Sequence, residues 1–138
     1  MNKPRRILIV DDNPNNREVF HEMLDGSYQL FDAANGWDAL TIAEQIVPRI
    51  VLLDVMLPIM DGYEVCRKLR SMPAMRRSRI IMVSAKAMPS ERQAGLDAGA
   101  DDYITKPFDE TDLFAVLRHA PSDTRGMENS ELDLFPAF

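Results

Sequence analysis

Cysteine is nearly absent from this 138-residue sequence, since Cys66 is the only one. No disulfide can form within the chain, and Cys66 is expected to lie buried on the apolar stripe of a helix. Long hydrophobic runs are missing as well. The first run, Ile7–Val10, stops after four residues at two aspartates, which is too short for a signal peptide or a membrane span. We therefore expect a cytoplasmic protein that does not enter membranes.

Positive charge is also scarce, because 22 acidic residues stand against 16 lysines and arginines, for a formal net charge of −6. Nonspecific nucleic-acid binding depends on lysine and arginine, so we expect no direct contact with nucleic acid. The one basic cluster, residues 76–79, is expected to be a solvated loop. A glycine-rich phosphate loop is missing too, because residues 11–14 read Asp-Asp-Asn-Pro after the first apolar run. This disfavours a module that binds a nucleotide or a flavin.

Short apolar runs alternate with segments of helical periodicity along most of the chain. Five such alternations predict an α/β fold, a doubly wound five-stranded parallel sheet with helices on both faces. Most of the runs are apolar at every position, as expected for parallel strands that are covered on both sides. The predicted strands are Ile7–Val10, Tyr28–Ala33, Ile50–Leu53, Ile80–Val83 and Tyr103–Ile104.

Capping residues mark several helix ends. Asn13, followed by a proline, is typical of a helix start. Ser90 and Gln93 have the spacing of a capping box, which predicts a fourth helix that begins at Ser90 and ends near Gly99. Asp109 is expected to cap the fifth helix.

Residues 1–119 fit one domain, because a chain of this length can bury a sizeable core. From residue 120 the composition changes. Residues 121–126 are typical of a linker, and residues 128–138 are acidic with scattered leucine and phenylalanine. We expect residues 120–138 to form a C-terminal linker or tail. Whether this tail is a docking motif or the remnant of a longer protein stays open.

Five polar residues stand at or just past the ends of the predicted strands: Asp11, Asp12, Asp54, Ser84 and Lys106. Because the carboxyl ends of parallel strands meet at one edge, where such sheets bind ligands, we expect these side chains to lie close together. Two like charges about 4 Å apart repel by roughly 4 kcal/mol near a protein surface, and a divalent cation relieves that repulsion. Ligation by oxygen alone favours Mg²⁺.

The same edge suits phosphoryl transfer. Asp54 stands alone on the central strand and is the candidate nucleophile, which would become an aspartyl phosphate. Lys106 and Ser84 can each contact a phosphoryl oxygen. Asp11 and Asp12 are adjacent in an extended chain and cannot both point the same way, so one would ligate directly and the other through water or a turn.

Four strings at this predicted edge resemble the receiver domains of two-component response regulators. They are Ile9–Asp12, Leu53–Gly62, Ser84–Ala87 and Gly99–Phe108. Each string alone is common, whereas all four in this order and at this spacing are highly specific. The resemblance extends from about Arg5 to His119 and implies the flavodoxin-like, CheY-like version of the predicted fold.

The resemblance implies roles for individual residues. Asp54 would accept a phosphoryl group from a histidine kinase or a histidine phosphotransfer protein, in a reaction that depends on Mg²⁺. Asp11, Asp12, Asp54 and the backbone carbonyl of Met56 would bind the metal. Lys106 would pair with the phosphoryl group. The protein would then be a phosphoacceptor that assists its own phosphorylation and dephosphorylation, and not an enzyme that acts on a separate substrate.

The resemblance also implies how the phosphorylated state is transmitted. Ser84 and Tyr103 would form a switch in which the hydroxyl moves to the phosphoryl group and the ring turns inward behind it. The bond between Lys106 and Pro107 would be cis. The change would reach the fourth helix, fifth strand and fifth helix, about residues 90–117, where a downstream protein or a second copy of the chain would bind.

Two other functions share parts of this pattern. Hydrolases of the haloacid-dehalogenase type also use a strand-end aspartate and Mg²⁺, but they carry a second acid two positions later, where this sequence has Met56. A receiver-like module could instead bind partners without being phosphorylated. The complete set of site residues argues against this second alternative, which stays open.

Overall fold

A parallel sheet with strand order β2-β1-β3-β4-β5 organises the chain in this computed structural model, which describes residues 5–86 and 88–118. The strands are β1 (Arg6–Val10), β2 (Gln29–Ala33), β3 (Ile50–Asp54), β4 (Arg79–Ser84) and β5 (Asp102–Thr105). The helices are α1 (Pro14–Leu24), α2 (Gly36–Ile46), α3 (Gly62–Ser71), α4 (Pro89–Asp97) and α5 (Glu110–Arg118), with a 3₁₀ turn at Pro73–Met75. The predicted doubly wound α/β fold is confirmed. The predicted tail, residues 120–138, lies outside the described residues.

An apolar layer covers each face of the sheet. Alternate residues of a strand point to opposite faces, so Val51 and Leu53 of β3 pack toward α2 and α3, whereas Ile50 and Leu52 pack toward α1 and α5. All four are at most 2% exposed. Cys66 lies in the first layer and is fully buried, as predicted. The central strands are apolar between their end residues because both of their faces are covered.

The helix ends confirm two of the predicted caps and contradict a third. Asn13 caps α1, and Asp109 accepts a 2.8 Å hydrogen bond from the backbone N–H of Asp112 at the start of α5. The predicted capping box of α4 is wrong: the helix begins at Pro89, whose ring presets the backbone for a first helical position, and the Gln93 side chain bonds to Asp97 instead. None of the helices in the described ranges is long and apolar enough to cross a membrane.

The basic cluster is not a solvated loop throughout. Arg76 and Arg77 are exposed, but Arg79 belongs to β4 and is only 8% exposed. Its guanidinium donates to Asp102 at 2.7 Å and to the carbonyl oxygens of Val116 and Leu117 at 2.6 and 3.0 Å. A strand position and three partners distant in sequence explain the burial of this arginine. Neither is visible in a local run of basic residues.

A second, partly buried arginine joins three segments at the amino-terminal edge of the sheet. Arg70, at the end of α3, donates to the carbonyl oxygens of Gly99 and Ser78 at 3.0 and 2.8 Å and to the Asp101 carboxylate at 2.8 Å. Asp101 is 2% exposed and also accepts the backbone N–H of Ile80. Asp101 is therefore a structural acid, as expected of a residue at the entry to a strand, and it lies apart from the acidic cluster at the other edge.

Replacing Arg70 by alanine should destabilise the fold strongly. The substitution leaves the buried Asp101 carboxylate without its guanidinium, a change that typically costs about 3–5 kcal/mol. Urea unfolding measures the loss. Arg67→Ala, on an exposed position of the same helix, is the matched control and should stay within ~0.5 kcal/mol of the wild type. An equal effect of the two substitutions would contradict the role assigned to Arg70.

Candidate functional site

Strand register brings the five predicted site residues to one edge. Val10, the last residue of β1, pairs with Leu53 of β3. Asp11 and Asp54 are the next residues of the two chains and therefore lie side by side. Ser84 ends β4 opposite Thr105, and Lys106 follows directly. The polar side chains that follow the apolar strands therefore lie at a shared edge.

Asp11, Asp12 and Asp54 form one cluster. Their nearest carboxylate oxygens all lie within 4.8 Å of one another. Asp11 and Asp54 are buried, at 1% and 6% exposure, whereas Asp12 is exposed. The two adjacent aspartates thus differ in burial. Three closely spaced oxygen donors with charge in excess fit a hard divalent cation such as Mg²⁺.

Two residues that position Asp11 were missed by the sequence analysis. The Asn16 side-chain amide donates to both carboxylate oxygens of Asp11, at 3.4 and 3.2 Å, and the Arg17 guanidinium donates to its backbone carbonyl at 2.7 Å. The backbone N–H of Asn13 also donates to the carboxylate, at 2.9 Å. A usable signal was present, because Asn16 and Arg17 occupy the first turn of the helix that Asn13 caps, directly beside the strand end.

Lys106 lies between the two buried carboxylates. Its ammonium nitrogen is 3.7 Å from Asp11 Oδ2 and 3.8 Å from Asp54 Oδ1. The peptide bond from Lys106 to Pro107 is cis, as the resemblance implied. The Lys106 ammonium therefore lies close to two of the three clustered carboxylates.

The Asp54 carboxyl has a raised pKa, above its ordinary value of 3.8. Burial is the largest cause, since it removes water from the carboxylate, and the charges of Asp11 and Asp12 act in the same direction. The Lys106 ammonium and a 3.2 Å hydrogen bond from the backbone N–H of Met56 lower the pKa, without reversing the net shift. The ionised form of Asp54 is thus destabilised where it stands, which favours its reaction with a cationic or electrophilic group.

Gly62 allows the chain behind Asp54 to pack closely. A Cβ atom at this position would collide with the backbone carbonyl of Asp54, and it would lie 2.7 Å from Val55 Cα. The backbone N–H of Gly62 also donates to the Val55 carbonyl at 2.9 Å. The sequence alone does not predict this close approach, because it depends on how the loop returns to the strand.

Ser84 and Tyr103 are joined through Lys86. Ser84 is fully buried, and its Oγ accepts the backbone N–H of Lys86 at 3.0 Å. The Tyr103 hydroxyl donates to the backbone carbonyl of Lys86 at 2.9 Å, and the ring is 8% exposed. The ring therefore points into the protein in this structure, and both predicted switch residues contact the same loop.

A parallel α/β sheet with an acidic crevice and a lysine at its carboxyl edge defines a class of signalling domains, and sequence comparison places the chain within it. The model of the response regulator receiver domain family matches residues 7–118. The chain belongs to this family. The flavodoxin-like, CheY-like fold and the two-component signalling class expected from the sequence are both confirmed.

Individual relatives support the assignment to the receiver domain family. The chain is 41% identical to the response regulator PleD of Caulobacter vibrioides over 114 residues, which cover 82% of this chain and 25% of PleD. A structure of the receiver domain of the sensor histidine kinase PA1611 from Pseudomonas aeruginosa PAO1, with magnesium coordinated in its active-site cleft, is 36% identical with a TM-score of 0.77. The match covers 84% of this chain and 96% of that one. The chemotaxis protein CheY4 of Vibrio cholerae is 28% identical with a TM-score of 0.80, over 84% and 98% of the two chains. The chain thus spans only a quarter of PleD but nearly all of the CheY4 structure.

Asp54→Asn should stabilise the metal-free protein at neutral pH. An acid whose pKa is raised on folding destabilises the folded state above that pKa, and the destabilisation fades as pH falls through the folded-state value. Asparagine removes the ionisable group, so the advantage of the variant should be largest near pH 7 and should shrink on acidification. Urea unfolding in EDTA measures the difference in the free energy of unfolding between the variant and the wild type. The pH is varied from 5 to 8, roughly the range in which proteins are most stable.

The exposed substitution Glu44→Gln on α2 is the control, and it should change stability little at any pH in this range. An Asp54→Asn variant that is less stable than the wild type at neutral pH, or whose advantage grows on acidification, would contradict the electrostatic account of the site.

Proposed function

We propose that this protein is a phosphorylation-controlled signalling switch in which Asp54 accepts a phosphoryl group from a phosphohistidine. One observation carries the proposal: the buried Asp54 carboxylate belongs to the acidic cluster at the carboxyl edge of the sheet and lies 3.8 Å from the Lys106 ammonium. A histidine kinase or a histidine phosphotransfer protein would be the donor. The family and the PA1611 receiver structure, which holds magnesium in its cleft, support this reading.

The proposed step is an exchange of one bond to phosphorus for another. A carboxylate oxygen of Asp54 forms the new bond to phosphorus, the nitrogen–phosphorus bond of the phosphohistidine breaks, and its electron pair returns to the imidazole, which takes up a proton. Lys106 turns from the carboxylates to a phosphoryl oxygen, and the Ser84 hydroxyl donates to another. Bound Mg²⁺, held by Asp11, Asp12, Asp54 and the Met56 carbonyl, would supply neutralisation of the charge on the phosphoryl oxygens.

The output would follow from Ser84 and Tyr103. A hydroxyl drawn to the phosphoryl group pulls on the loop that Lys86 shares with the Tyr103 hydroxyl. That loop leads into α4, so the face formed by α4, β5 and α5 changes with it. A downstream protein target, or a second copy of the chain in a phosphorylation-dependent dimer, would bind this face. Residues 1–119 would act as the receiver and residues 120–138 as a linker or docking tail.

Incubation with acetyl phosphate, followed by intact-protein mass spectrometry, tests the acceptor chemistry. The wild type in Mg²⁺ should gain one phosphoryl adduct, and EDTA or the substitution Asp54→Asn should abolish it. Asp109→Asn is a matched carboxylate control outside the crevice and should leave the adduct unchanged. An adduct on the Asp54→Asn variant would overturn the assignment of the acceptor. A folded wild type without any adduct would favour the alternative, a partner-binding module that does not depend on phosphorylation.

The lifetime of the aspartyl phosphate should depend on Met56 and Lys86. Both side chains are largely exposed, at 60% and 53%, and their backbone N–H groups bond to Asp54 and Ser84. They stand where they can screen the acyl phosphate from water. Replacing both by alanine should speed its hydrolysis, by on the order of tenfold if the barrier falls by about 1.4 kcal/mol.

Loss of the phosphoryl adduct over time, followed by mass spectrometry after removal of acetyl phosphate, measures this rate. Lys68→Ala, an exposed substitution on α3, is the control and should decay as the wild type does. Equal decay of the double variant and the wild type would remove the screening role.

A further inference from the structure

The fourth helix, α4, has little support of its own. It is nine residues long and begins without a hydrogen bond from a capping side chain, and an isolated helix of this length is at best marginally stable in water. Gly95 is its single buried residue. Each of the other α-helices in the described part of the chain buries at least one apolar side chain, such as Phe20 of α1 or Leu113 of α5. The stability of α4 must therefore come from what packs against Gly95 and its neighbours.

The Tyr103 ring lies directly against α4 at Gly95. A Cβ atom on Gly95 would lie 3.2 and 3.5 Å from Cδ2 and Cε2 of the ring, and 3.4 Å from Met82 Cγ. Met82 and Tyr103 are register partners on β4 and β5, so the helix backbone rests on this pair. Glycine is an unfavourable residue for a helix interior, and the close approach to the ring accounts for its presence here.

Arg92 contacts the same ring from one turn earlier in α4. Its guanidinium carbon lies 5.3 Å from the ring centroid, and the group also donates to Thr105 Oγ1 at 3.1 Å. Arg92 and Gly95 are three residues apart and therefore share one face of the helix. The ring is 8% exposed, and its hydroxyl donates to the Lys86 carbonyl at 2.9 Å. Tyr103 thus contacts α4 at two successive points and the loop before it at a third.

Two polar contacts also reach the first turn of α4, and both are weak. The Tyr63 hydroxyl donates to the Glu91 carbonyl at 3.4 Å, which is longer than an ordinary hydrogen bond from a hydroxyl. The Lys86 ammonium lies 3.7 Å from the Glu91 carboxylate on a side chain that is 53% exposed, and such surface pairs contribute little. The aromatic ring of Tyr103 is therefore the contact on which the helix most depends.

We propose that the Tyr103 ring is the support on which α4 docks: the helix stays packed while the ring points inward, and it opens locally when the ring withdraws. The inference rests on the proposed function in one respect, because that function makes Tyr103 a switch residue. It goes further in what it assigns to α4. A phosphorylated site that holds the ring inward would keep α4 ordered, so the output would be a change in the order of one helix and not only a shift in its position.

Hydrogen exchange of the unphosphorylated protein, followed by mass spectrometry, measures local opening of α4. Tyr103→Ala removes the ring and should speed exchange of the α4 amides by about ten- to a hundredfold relative to those of α2, as expected when an aromatic side chain loses its burial. Tyr103→Phe keeps the ring and should change α4 exchange far less. Tyr28→Ala, in the opposite apolar layer, is the control for general destabilisation and should not single out α4. Exchange in α4 that rises no more than in α2 with Tyr103→Ala, or as much in Tyr103→Phe as in Tyr103→Ala, would overturn the proposal.

Gly95→Ala separates packing on the ring from helix propensity. Alanine is the better helix former, so propensity alone would slow exchange in α4. The proposal predicts the opposite, because the new Cβ would lie 3.2 Å from the ring. The α4 amides should exchange faster, and the ring signals of Tyr103 should shift in NMR spectra of protein labelled with ¹³C-tyrosine. Gln93→Ala, on an exposed position of α4, should leave the ring signals unchanged. Slower exchange of α4 or unchanged ring signals in Gly95→Ala would contradict the docking of α4 on the ring.

Neither measurement needs a phosphoryl group, so both test the docking of α4 independently of the proposed function. Acetyl phosphate with Mg²⁺ then tests the link between the two. It should slow exchange of α4 in the wild type and have no effect in Asp54→Asn. Unchanged α4 exchange in a wild type that carries the phosphoryl adduct would overturn the coupling of helix order to phosphorylation. A wild type that gains no adduct would contradict the proposed function alone, since the docking of α4 is measured without it.

Discussion

Repulsion among three carboxylates at the carboxyl edge of the sheet is the constraint on which the rest of the structure depends. The nearest oxygens of Asp11, Asp12 and Asp54 lie within 4.8 Å of one another, and only Lys106 is placed between the buried pair. Such charges separate unless the backbone prevents it, since each pair repels by roughly 4 kcal/mol at about 4 Å. The fixed register of the parallel strands holds the carboxylates together. Hydrogen bonds from Asn13 and Asn16 to the Asp11 carboxylate offset part of the repulsion energy. The close approach of Gly62 adds rigidity behind Asp54.

The opposite edge of the sheet shows the reverse arrangement. There Arg70 pairs with Asp101 and Arg79 with Asp102, and each guanidinium also donates to backbone carbonyls of a helix end or turn. At the amino-terminal edge each of these carboxylates thus has an arginine within 3 Å, whereas the carboxyl edge brings three carboxylates together. A domain that keeps a strained, reactive edge needs stability elsewhere, and the buried ion pairs and the two apolar layers are where this chain has it. Local differences in stability of this kind let one edge rearrange while the sheet stays intact.

The parts that sequence predicted are those that depend on local pattern. The strand runs, the Asn13 and Asp109 caps and the convergence of five polar residues all follow from periodicity and from the geometry of parallel sheets. The parts it missed depend on partners distant in sequence. Arg79 looked like a loop residue because its partners lie on β5 and α5, and the roles of Asn16 and Gly62 needed the return path of the chain. The prediction that α4 begins at Ser90 was wrong for another reason, since Pro89 is the first helical residue.

The size of the switching energy limits what any single contact in this site can do. Moving a two-state population from one in a hundred to ninety-nine in a hundred takes about 5.5 kcal/mol. One intramolecular hydrogen bond contributes roughly 0.5–1.5 kcal/mol, so the bond of Tyr103 to Lys86 does not suffice alone. A phosphoryl group of charge near −2 beside Lys106, as proposed for Asp54, would supply a larger effect. Because the backbone N–H and carbonyl of Lys86 bond to Ser84 and Tyr103, a movement of the Ser84 hydroxyl would act on both bonds together.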